Sequence, residues 1–157
     1  MGRPAVALDD LDRRILDALQ NDASRANNEL AALVHASAPT CLRRVRRLVE
    51  TGVIERQVVI VAPDKAGPSL TAIVEVTLDN QAAERMTVFE ALVAGEPAVL
   101  QCYRVSTGPD FVLLVQVADM EAYHAFAHRV LTAHANVRNV RSFFSIHRSK
   151  FETRVPV

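Results

Sequence analysis

Four arginines in one short stretch are the residues whose chemistry points most directly to a partner. They are Arg43, Arg44, Arg46 and Arg47, and no acidic residue lies between positions 37 and 49. The guanidinium group stays charged at physiological pH and presents its donors in a planar fork that suits phosphate oxygens and base edges. This segment therefore indicates a polyanionic partner, and nucleic acid is the first candidate.

The net charge of the whole chain hides this segment. The 157 residues carry 18 basic and 18 acidic side chains, and the resulting formal charge of zero argues at first against a nucleic-acid partner. Residues 9–22, however, hold five aspartates against two arginines, whereas residues 37–49 hold four arginines and no acidic residue. Because the local field steers a polyanion more than the total charge does, neutrality does not exclude nucleic acid.

Three predicted helices at the start of the chain position these arginines. The first runs from a cap at Asp9 to about Gln20, and the second begins with a cap at Asn27. The third runs from a cap at Ser37 to about Thr51. The short second helix, the tight turn and the third helix have the spacing of a helix-turn-helix.

The third predicted helix has one apolar face and one cationic face. Three residues at i, i+4 and i+7 spacing point to the core: Cys41, Val45 and Leu48. On a helical wheel Arg43, Arg46 and Arg47 project from the opposite side, with Arg44 on the flank. Such a helix can lie in the major groove of double-stranded DNA while its apolar face packs on the preceding helices. The alternative is a solvated cationic face without a partner.

The periodicity after position 52 changes from helical to extended. The β-branched run 53–62 predicts a strand that forms the wing of the helix-turn-helix, and 63–69, with two prolines and a glycine, predicts a linker.

The remainder predicts a ferredoxin-like βαββαβ order, and the overall fold class is α+β. The N-terminal winged helix-turn-helix domain is 1–62, and the C-terminal domain is 70–157. The six predicted elements of that domain are Leu70–Leu78, Ala82–Ala94, Val99–Ser106, Phe111–Val117, Met120–His134 and Val140–His147.

Other reactive residue types leave alternatives open. His124 and His128 have an i, i+4 spacing that could bind a metal, or they are a solvated or partly buried pair. Cys41 is either a redox sensor or a small core residue. Four aromatic residues could stack on RNA or serve the core and an interface: Tyr103, Phe111, Phe143 and Phe144.

Apolar runs and cysteines decide which compartment the sequence predicts. No run approaches the roughly 18 apolar residues of a membrane span, and no secretory signal precedes Asp9. Cys41 and Cys102 are too few for a disulfide framework. The sequence therefore predicts a cytoplasmic protein with no membrane partner and no cofactor.

Four stretches of the sequence form a pattern that is more specific than any one of them. In order they are LDDLDRRILDALQND, NNELAALVHAS, PTCLRRVRRLVETGVIE and CYRVSTGPDFVLLV. The chain resembles, from about Leu8 to Phe151, the leucine-responsive regulatory protein/asparagine regulator (Lrp/AsnC) family of bacterial and archaeal transcription factors. The resemblance implies an N-terminal DNA-binding domain and a C-terminal RAM (regulation of amino-acid metabolism) domain. That domain binds small effectors, frequently amino acids, and assembles the chain into a dimer or an octamer.

The resemblance also implies site residues in both domains. Six positions match the family's DNA-reading helix: Ser37, Thr40, Arg43, Arg44, Arg46 and Arg47. Five positions match places where family members hold an effector: Thr107, Gly108, Asp110, Arg141 and Ser142. Arg104 joins them as an effector or dimer-interface residue, with simple exposure as the alternative.

The predicted effector residues also suit an amino acid chemically. Asp110 could pair an α-amino group, the backbone at Gly108 could donate to a carboxylate, and Ser142 offers a hydroxyl. The chain departs from the family by having Thr107 where glycine is usual, and by Pro109, which removes a backbone donor. These departures leave the identity of the effector open.

The sequence therefore predicts an oligomeric, sequence-specific DNA-binding transcriptional regulator that responds to an amino acid or a related small molecule. The alternative is an enzyme on a related scaffold, because proteins that resemble this family catalyse sirohaem decarboxylation. Only His124 and His128 motivate that alternative.

Overall fold

The computed structural model describes residues 6–157, without the side chain of residue 64. This part of the chain divides into two compact units. The first runs to Ile60 and also includes Lys150–Val157, whereas the second is Val61–Ser149. Within the described part of the chain, no helix has the length and apolar character needed to cross a membrane.

The two compact units group the C-terminal segment differently from the predicted domains, whose boundaries stay a prediction. The predicted N-terminal domain, 1–62, opens with five residues that lie outside the described part. The predicted C-terminal domain, 70–157, closes with eight residues that pack with the first unit instead. There the Gln20 carboxamide donates to the carbonyl of Val155 at 3.0 Å and accepts from its backbone N–H at 2.7 Å. A polar side chain thus pairs with the terminal segment as a neighbouring strand would.

Three helices form the first unit: α1 (Asp10–Asn21), α2 (Asn27–Leu33) and α3 (Ala38–Glu50). Each predicted helix is confirmed, with ends shifted by one or two residues. The Asp9 carboxylate caps α1 by accepting from the backbone N–H of Asp12. Ser37 caps α3, as predicted, by accepting from the backbone N–H of Thr40. The buried residues of this unit form one core: Ile15, Leu16, Ala18, Leu30, Ala31, Val34, Cys41 and Leu48.

The predicted cap of α2, Asn27, is wrong, because its side chain bonds elsewhere. Asn27 is the first helical residue of α2, and the Glu29 carboxylate accepts from the backbone N–H of Ala26 just before it. The Asn27 side chain instead donates to the carbonyl of Ala38 at 2.9 Å. This bond joins the start of α2 to the start of α3 and so helps to fix the angle between the two helices.

The predicted wing strand over 53–62 is also wrong. Within residues 6–157 this segment has no neighbouring strand, and its backbone forms no ladder. Four consecutive apolar residues of this segment are nonetheless exposed: Val58, Val59, Ile60 and Val61. A β-branched run favours an extended backbone, but a strand also needs a partner for its backbone hydrogen bonds. The predicted linker after it contains a short helix, α4 (Pro63–Ala66).

The second unit has the predicted βαββαβ order. Its elements are β1 (Leu70–Leu78), α5 (Ala83–Ala94), β2 (Val99–Arg104), β3 (Phe111–Val117), α6 (Met120–Phe126), a π-helical turn (Ala127–Thr132) and β4 (Val137–Phe144). The four strands form an antiparallel sheet in the order β2-β3-β1-β4. The predicted long last helix is thus divided, and β4 starts and ends three residues earlier than predicted.

The two faces of this sheet have different surroundings. Alternate residues of β1 and β3 are fully buried in a core that also contains Phe89 of α5 and Val130 of the π-helical turn. On the opposite face, Ile73 pairs across the strands with Leu114 and Phe143. We call this second surface the open face. Ile73 and Phe143 there are each 45% exposed.

Candidate functional site

Arg43 and Arg46 form the exposed cationic part of α3. Both side chains are exposed, and neither forms an ion pair or a hydrogen bond with another residue in the described part of the chain. They lie on the side of α3 opposite Cys41 and Leu48, which are fully buried. A guanidinium group in this situation keeps all its donors for an external acceptor.

Ser37 and Thr40 lie at the N-terminal end of the same helix. The Ser37 hydroxyl donates to the Thr40 hydroxyl at 2.8 Å and accepts from the Thr40 backbone N–H at 3.4 Å. The two predicted site residues therefore interact with each other, and in the free protein their bonds order the first turn of α3. The N-terminal turn of a helix attracts anions because its N–H groups and the helix dipole point outward there.

Arg44 and Arg47 are bound to α1, which corrects the prediction that Arg47 projects into solvent beside Arg46. The Arg44 Nη1 lies 2.6 Å from Asp9 Oδ2 and 3.2 Å from Asp12 Oδ1. The Arg47 Nη2 lies 2.6 Å from Asp12 Oδ2. The Asp12 side chain is only 1% exposed. Two of the four arginines thus pack α3 against α1 and do not extend the exposed cationic face.

Hydrogen bonds also shift the ionisation of the exposed end of this network. The backbone N–H of Asp12 and then the Arg44 guanidinium lower the pKa of the Asp9 carboxyl below its ordinary 3.8. The bond to Asp9 raises the pKa of Arg44 in turn. Because the folded pKa of Asp9 is depressed, its contribution to stability is present above pH 3.8 and is lost as the pH falls through the folded pKa.

Asp9 and Asp12 belong to this network but are not among the predicted site residues. The sequence does indicate an ion pair between the two helices, since the acidic segment 9–22 and the cationic segment 37–49 have opposite charges. Opposite charges on two helices of one small domain favour an ion pair between them. Charge counts cannot tell which arginines are paired, because that depends on the crossing angle of α1 and α3.

The predicted effector residues of the second unit do not form one cluster within the chain. Asp110 is buried, and its carboxylate accepts from the backbone N–H of Leu78 at 2.7 Å. Its own backbone N–H donates to the carbonyl of Val76, and its carbonyl accepts from Val105. Asp110 therefore ties the turn before β3 to the end of β1. This bonding competes with the predicted role of pairing an α-amino group.

Thr107 and Gly108 are exposed in the turn between β2 and β3. Gly108 has a φ of +91°, which lies in the left-handed region, and an added Cβ would meet no atom within 4 Å. Glycine is therefore required there by the backbone and not by a close neighbour. Arg104, at the end of β2, forms a two-point bond with Glu90 of α5, with N–O distances of 2.9 and 2.8 Å.

Arg141 and Ser142 lie on opposite faces of β4. Arg141 is on the open face, where it pairs with Glu75 at 3.3 Å and its guanidinium lies 5.3 Å from the centre of the Phe143 ring. Ser142 faces the helices, where its hydroxyl is hydrogen-bonded to the hydroxyl of Tyr123. One small ligand bound to a single chain therefore cannot reach both side chains from the same side of the sheet.

Two histidines and four aromatic residues are the basis of the predicted alternatives, a metal site and RNA binding. His124 and His128 are exposed, and within residues 6–157 no three His, Cys, Asp or Glu side chains are grouped so that they could hold a metal ion. Phe111 is buried, whereas Phe144 packs edge-on against Tyr123 on the helix side. Phe143 lies on the open face opposite Ile73, so the four aromatic residues do not form one stacking surface on a single face of the sheet.

We expect substitution of Asp110 by alanine to destabilise the second unit by about 1–3 kcal/mol, because it leaves the buried N–H of Leu78 without its acceptor. Thermal unfolding followed by circular dichroism measures this change. Asp119→Ala is the control for a carboxylate at an exposed helix cap and should cost about 1 kcal/mol. A fully stable Asp110→Ala variant would contradict the structural role of Asp110.

Comparisons with known proteins agree with this two-part architecture. Residues 8–49 match the AsnC-type helix-turn-helix domain, and residues 71–155 match the Lrp/AsnC ligand binding domain. An uncharacterised HTH-type transcriptional regulator from Haemophilus influenzae is 40% identical over 148 residues, which cover 94% of this chain and 88% of that protein. The leucine-responsive regulatory protein of Rhizobium meliloti is 36% identical over 152 residues, with 97% of each chain covered.

A solved structure extends the likeness to three dimensions. A transcriptional regulator from Neisseria meningitidis in complex with L-Met superposes with a TM-score of 0.88 at 29% identity, covering 96% of this chain and 97% of that one. The matched families and the relatives together span both units of the chain. The chain belongs to the Lrp/AsnC family of transcriptional regulators.

Proposed function

We propose that the chain is a sequence-specific DNA-binding transcriptional regulator that places α3 in the major groove of double-stranded DNA. The observation that carries this proposal is the exposed pair Arg43 and Arg46, which has no partner in the described part of the chain. Arginine reads guanine through two parallel hydrogen bonds and also binds phosphate. Ser37 and Thr40, at the helix start, would contact the phosphate backbone in this arrangement.

Sequence-specific binding can be tested with DNA from the promoter upstream of the chain's own gene. Fluorescence anisotropy with this duplex, and with a duplex of scrambled sequence, gives the two affinities at several salt concentrations. We expect the promoter DNA to be preferred by about 10³-fold or more and both affinities to fall as salt rises. Equal affinity for the two duplexes, or no dependence on salt, would contradict the proposal.

The active form that we propose is a homodimer, or an octamer built from dimers. The open face supports it, because Ile73 and Phe143 form an exposed apolar patch on the side of the sheet that faces away from the core. The segment around Val58–Val61 is a second exposed apolar surface. Assembly would also place two or more copies of α3 on one DNA molecule, which compensates for the small number of cationic contacts that each copy makes.

The second unit is proposed to bind an amino acid or a related small molecule between the C-terminal domains of assembled chains. The family model that matches this unit is a ligand binding domain, and the Neisseria meningitidis relative was solved with L-Met. The positions of the six expected residues also favour a shared site, because Arg141 and Ser142 face opposite ways in one chain. Residues from two chains are then needed to surround one ligand.

Thermal-shift screening of the proteinogenic amino acids tests this proposal. A ligand present at 100 times its Kd raises the stability by about 2.7 kcal/mol, so a true effector gives a clear rise in Tm. Thr107→Glu, which places a negative charge in the exposed turn, should remove the rise. Val88→Glu, at an exposed position of α5, should preserve it. A screen in which no amino acid raises Tm contradicts the proposal, and a rise unaffected by Thr107→Glu contradicts the site.

The place of action that follows from this function is the cytoplasm, where chromosomal DNA of a bacterial or archaeal cell is accessible. The relatives are named as regulators. We propose no enzymatic activity for the chain.

A further inference from the structure

The buried carboxylate of Asp12 forms ion pairs with two of the four arginines of α3. Its Oδ2 lies 2.6 Å from Arg47 Nη2, and its Oδ1 lies 3.2 Å from Arg44 Nη1. The side chain of Asp12 is 1% exposed, so the carboxylate end of these bonds lies away from bulk water and the pairs are screened less than fully exposed ion pairs. A buried carboxylate that lost such partners would be left uncompensated.

The backbone of α1 fixes the position of this carboxylate. Asp12 is the third residue of α1, and its Oδ2 accepts from the backbone N–H of Asp9, which completes a capping box. The Asp9 carboxylate bonds to the N–H of Asp12 in return. The acceptor for Arg47 therefore belongs to a rigid helix start and not to a mobile surface side chain.

The two restrained arginines differ in how many acceptors they have. Arg44 bonds to the carboxylates of both Asp9 and Asp12, and its side chain is 25% exposed. Arg47 has Asp12 as its one carboxylate partner in the described part of the chain, and its side chain is 42% exposed. Arg47 Nη2 also donates to the carbonyl of Ala7, at a longer distance of 3.5 Å. Loss of the charge on Asp12 would therefore leave Arg47 without a charged partner, whereas Arg44 would keep Asp9.

We propose that Asp12 is a positioning residue for DNA recognition, which withholds Arg47 from the phosphate backbone so that each α3 presents only Arg43 and Arg46. The inference rests on the proposed function of α3. Phosphate contacts raise the affinity for every DNA sequence equally, whereas base contacts discriminate between sequences. Removing one phosphate-seeking arginine from the interface thus lowers non-specific binding and leaves the base-reading residues in place.

The salt dependence of binding to scrambled DNA tests this proposal with the full-length protein. Each additional phosphate contact steepens the slope of log K against log salt by about 0.9, which is about a 3.5-fold greater loss of affinity between 50 and 200 mM salt. We expect Asp12→Asn to steepen the slope by at least one such contact and to lower the ratio of promoter to scrambled affinity. Asp10→Asn removes the same charge from an exposed position in the same turn and should leave the slope unchanged.

Three further variants separate positioning from a purely structural role. Arg47→Gln should leave the wild-type slope unchanged, Arg46→Gln should make it shallower, and Asp12→Asn with Arg47→Gln should restore it. If Asp12→Asn does not fold, the proposal is tested by comparing Arg47→Gln with Arg46→Gln. Salt slopes that become shallower by the same amount in both variants would overturn it. An Asp12→Asn slope equal to that of Asp10→Asn overturns it too. Wild-type protein that does not prefer promoter DNA refutes the proposed function itself.

Discussion

Replacing Arg43 and Arg46 together by alanine is expected to remove promoter binding while the chain stays folded. Each arginine that reads a base contributes about 1–3 kcal/mol, and an oligomer applies two or more copies of α3, so the loss should exceed about 100-fold. Both side chains are exposed and lack partners in the described part of the chain, so the free energy of unfolding should change by less than about 0.5 kcal/mol. Anisotropy titration and thermal unfolding measure the two quantities.

The matched control for this variant removes two arginines from the other unit. Arg85 on α5 and Arg138 on β4 are also exposed, so Arg85→Ala with Arg138→Ala lowers the net charge by the same amount. We expect this control to bind promoter DNA within about 3-fold of the wild type, since charges outside the DNA-contacting helix act mainly through screened long-range attraction. Equal loss in both double variants would mean that total charge, and not the face of α3, governs binding.

Substitution of Ile73 by glutamate is expected to break the proposed assembly. Ile73 lies in the middle of the open face between Leu114 and Phe143, and in the proposed dimer a charge there would have to be buried at the interface. Size-exclusion chromatography with light scattering should show a monomer. Promoter affinity should fall by about 10²-fold or more, because the two copies of α3 no longer act together.

A glutamate at a second exposed apolar position separates assembly from folding. Val88 on the outer face of α5 is 55% exposed and lies away from the open face, so Val88→Glu should keep the wild-type mass and affinity. An Ile73→Glu variant that remains a dimer, or a monomer that binds promoter DNA as tightly as the wild type, would contradict this role of the open face.

The helices and most strands could be predicted because their signals are local. The caps at Asp9 and Ser37, and the alternation of apolar residues in Leu70–Leu78, specify elements without reference to distant parts of the chain. The predicted wing over 53–62 is wrong for the opposite reason. Its residues favour an extended backbone, but a ladder depends on a neighbour that local sequence does not supply.

The candidate site was predictable in its residue types and less so in its contacts. The wheel places Arg43 and Arg46 outward, as observed, because that depends only on helical periodicity. It also places Arg47 outward, where the structure shows a bond to Asp12. The arginine side chain is long enough to turn back from the flank of α3 to α1, so the direction of its Cα–Cβ bond does not decide where its charge lies.

The separation of Arg141 from Ser142 was predictable from the sequence. Successive residues of a strand point to opposite faces of the sheet, so two neighbours in β4 cannot both line one side of it. The bond from Leu78 to Asp110 was not predictable, because it joins residues 32 positions apart in the chain.

Selection of binding sites from a random pool of DNA duplexes tests the central claim most directly, because the protein itself chooses its preferred sequence from all those present. The full-length protein, which we propose to be oligomeric, is expected to enrich a palindromic site whose half-sites lie about one helical turn, or a multiple of it, apart. The Arg43→Ala Arg46→Ala variant should enrich nothing above the starting pool. A wild-type selection without a consensus, or the same consensus from both proteins, would contradict the claim that the exposed arginines of α3 read DNA.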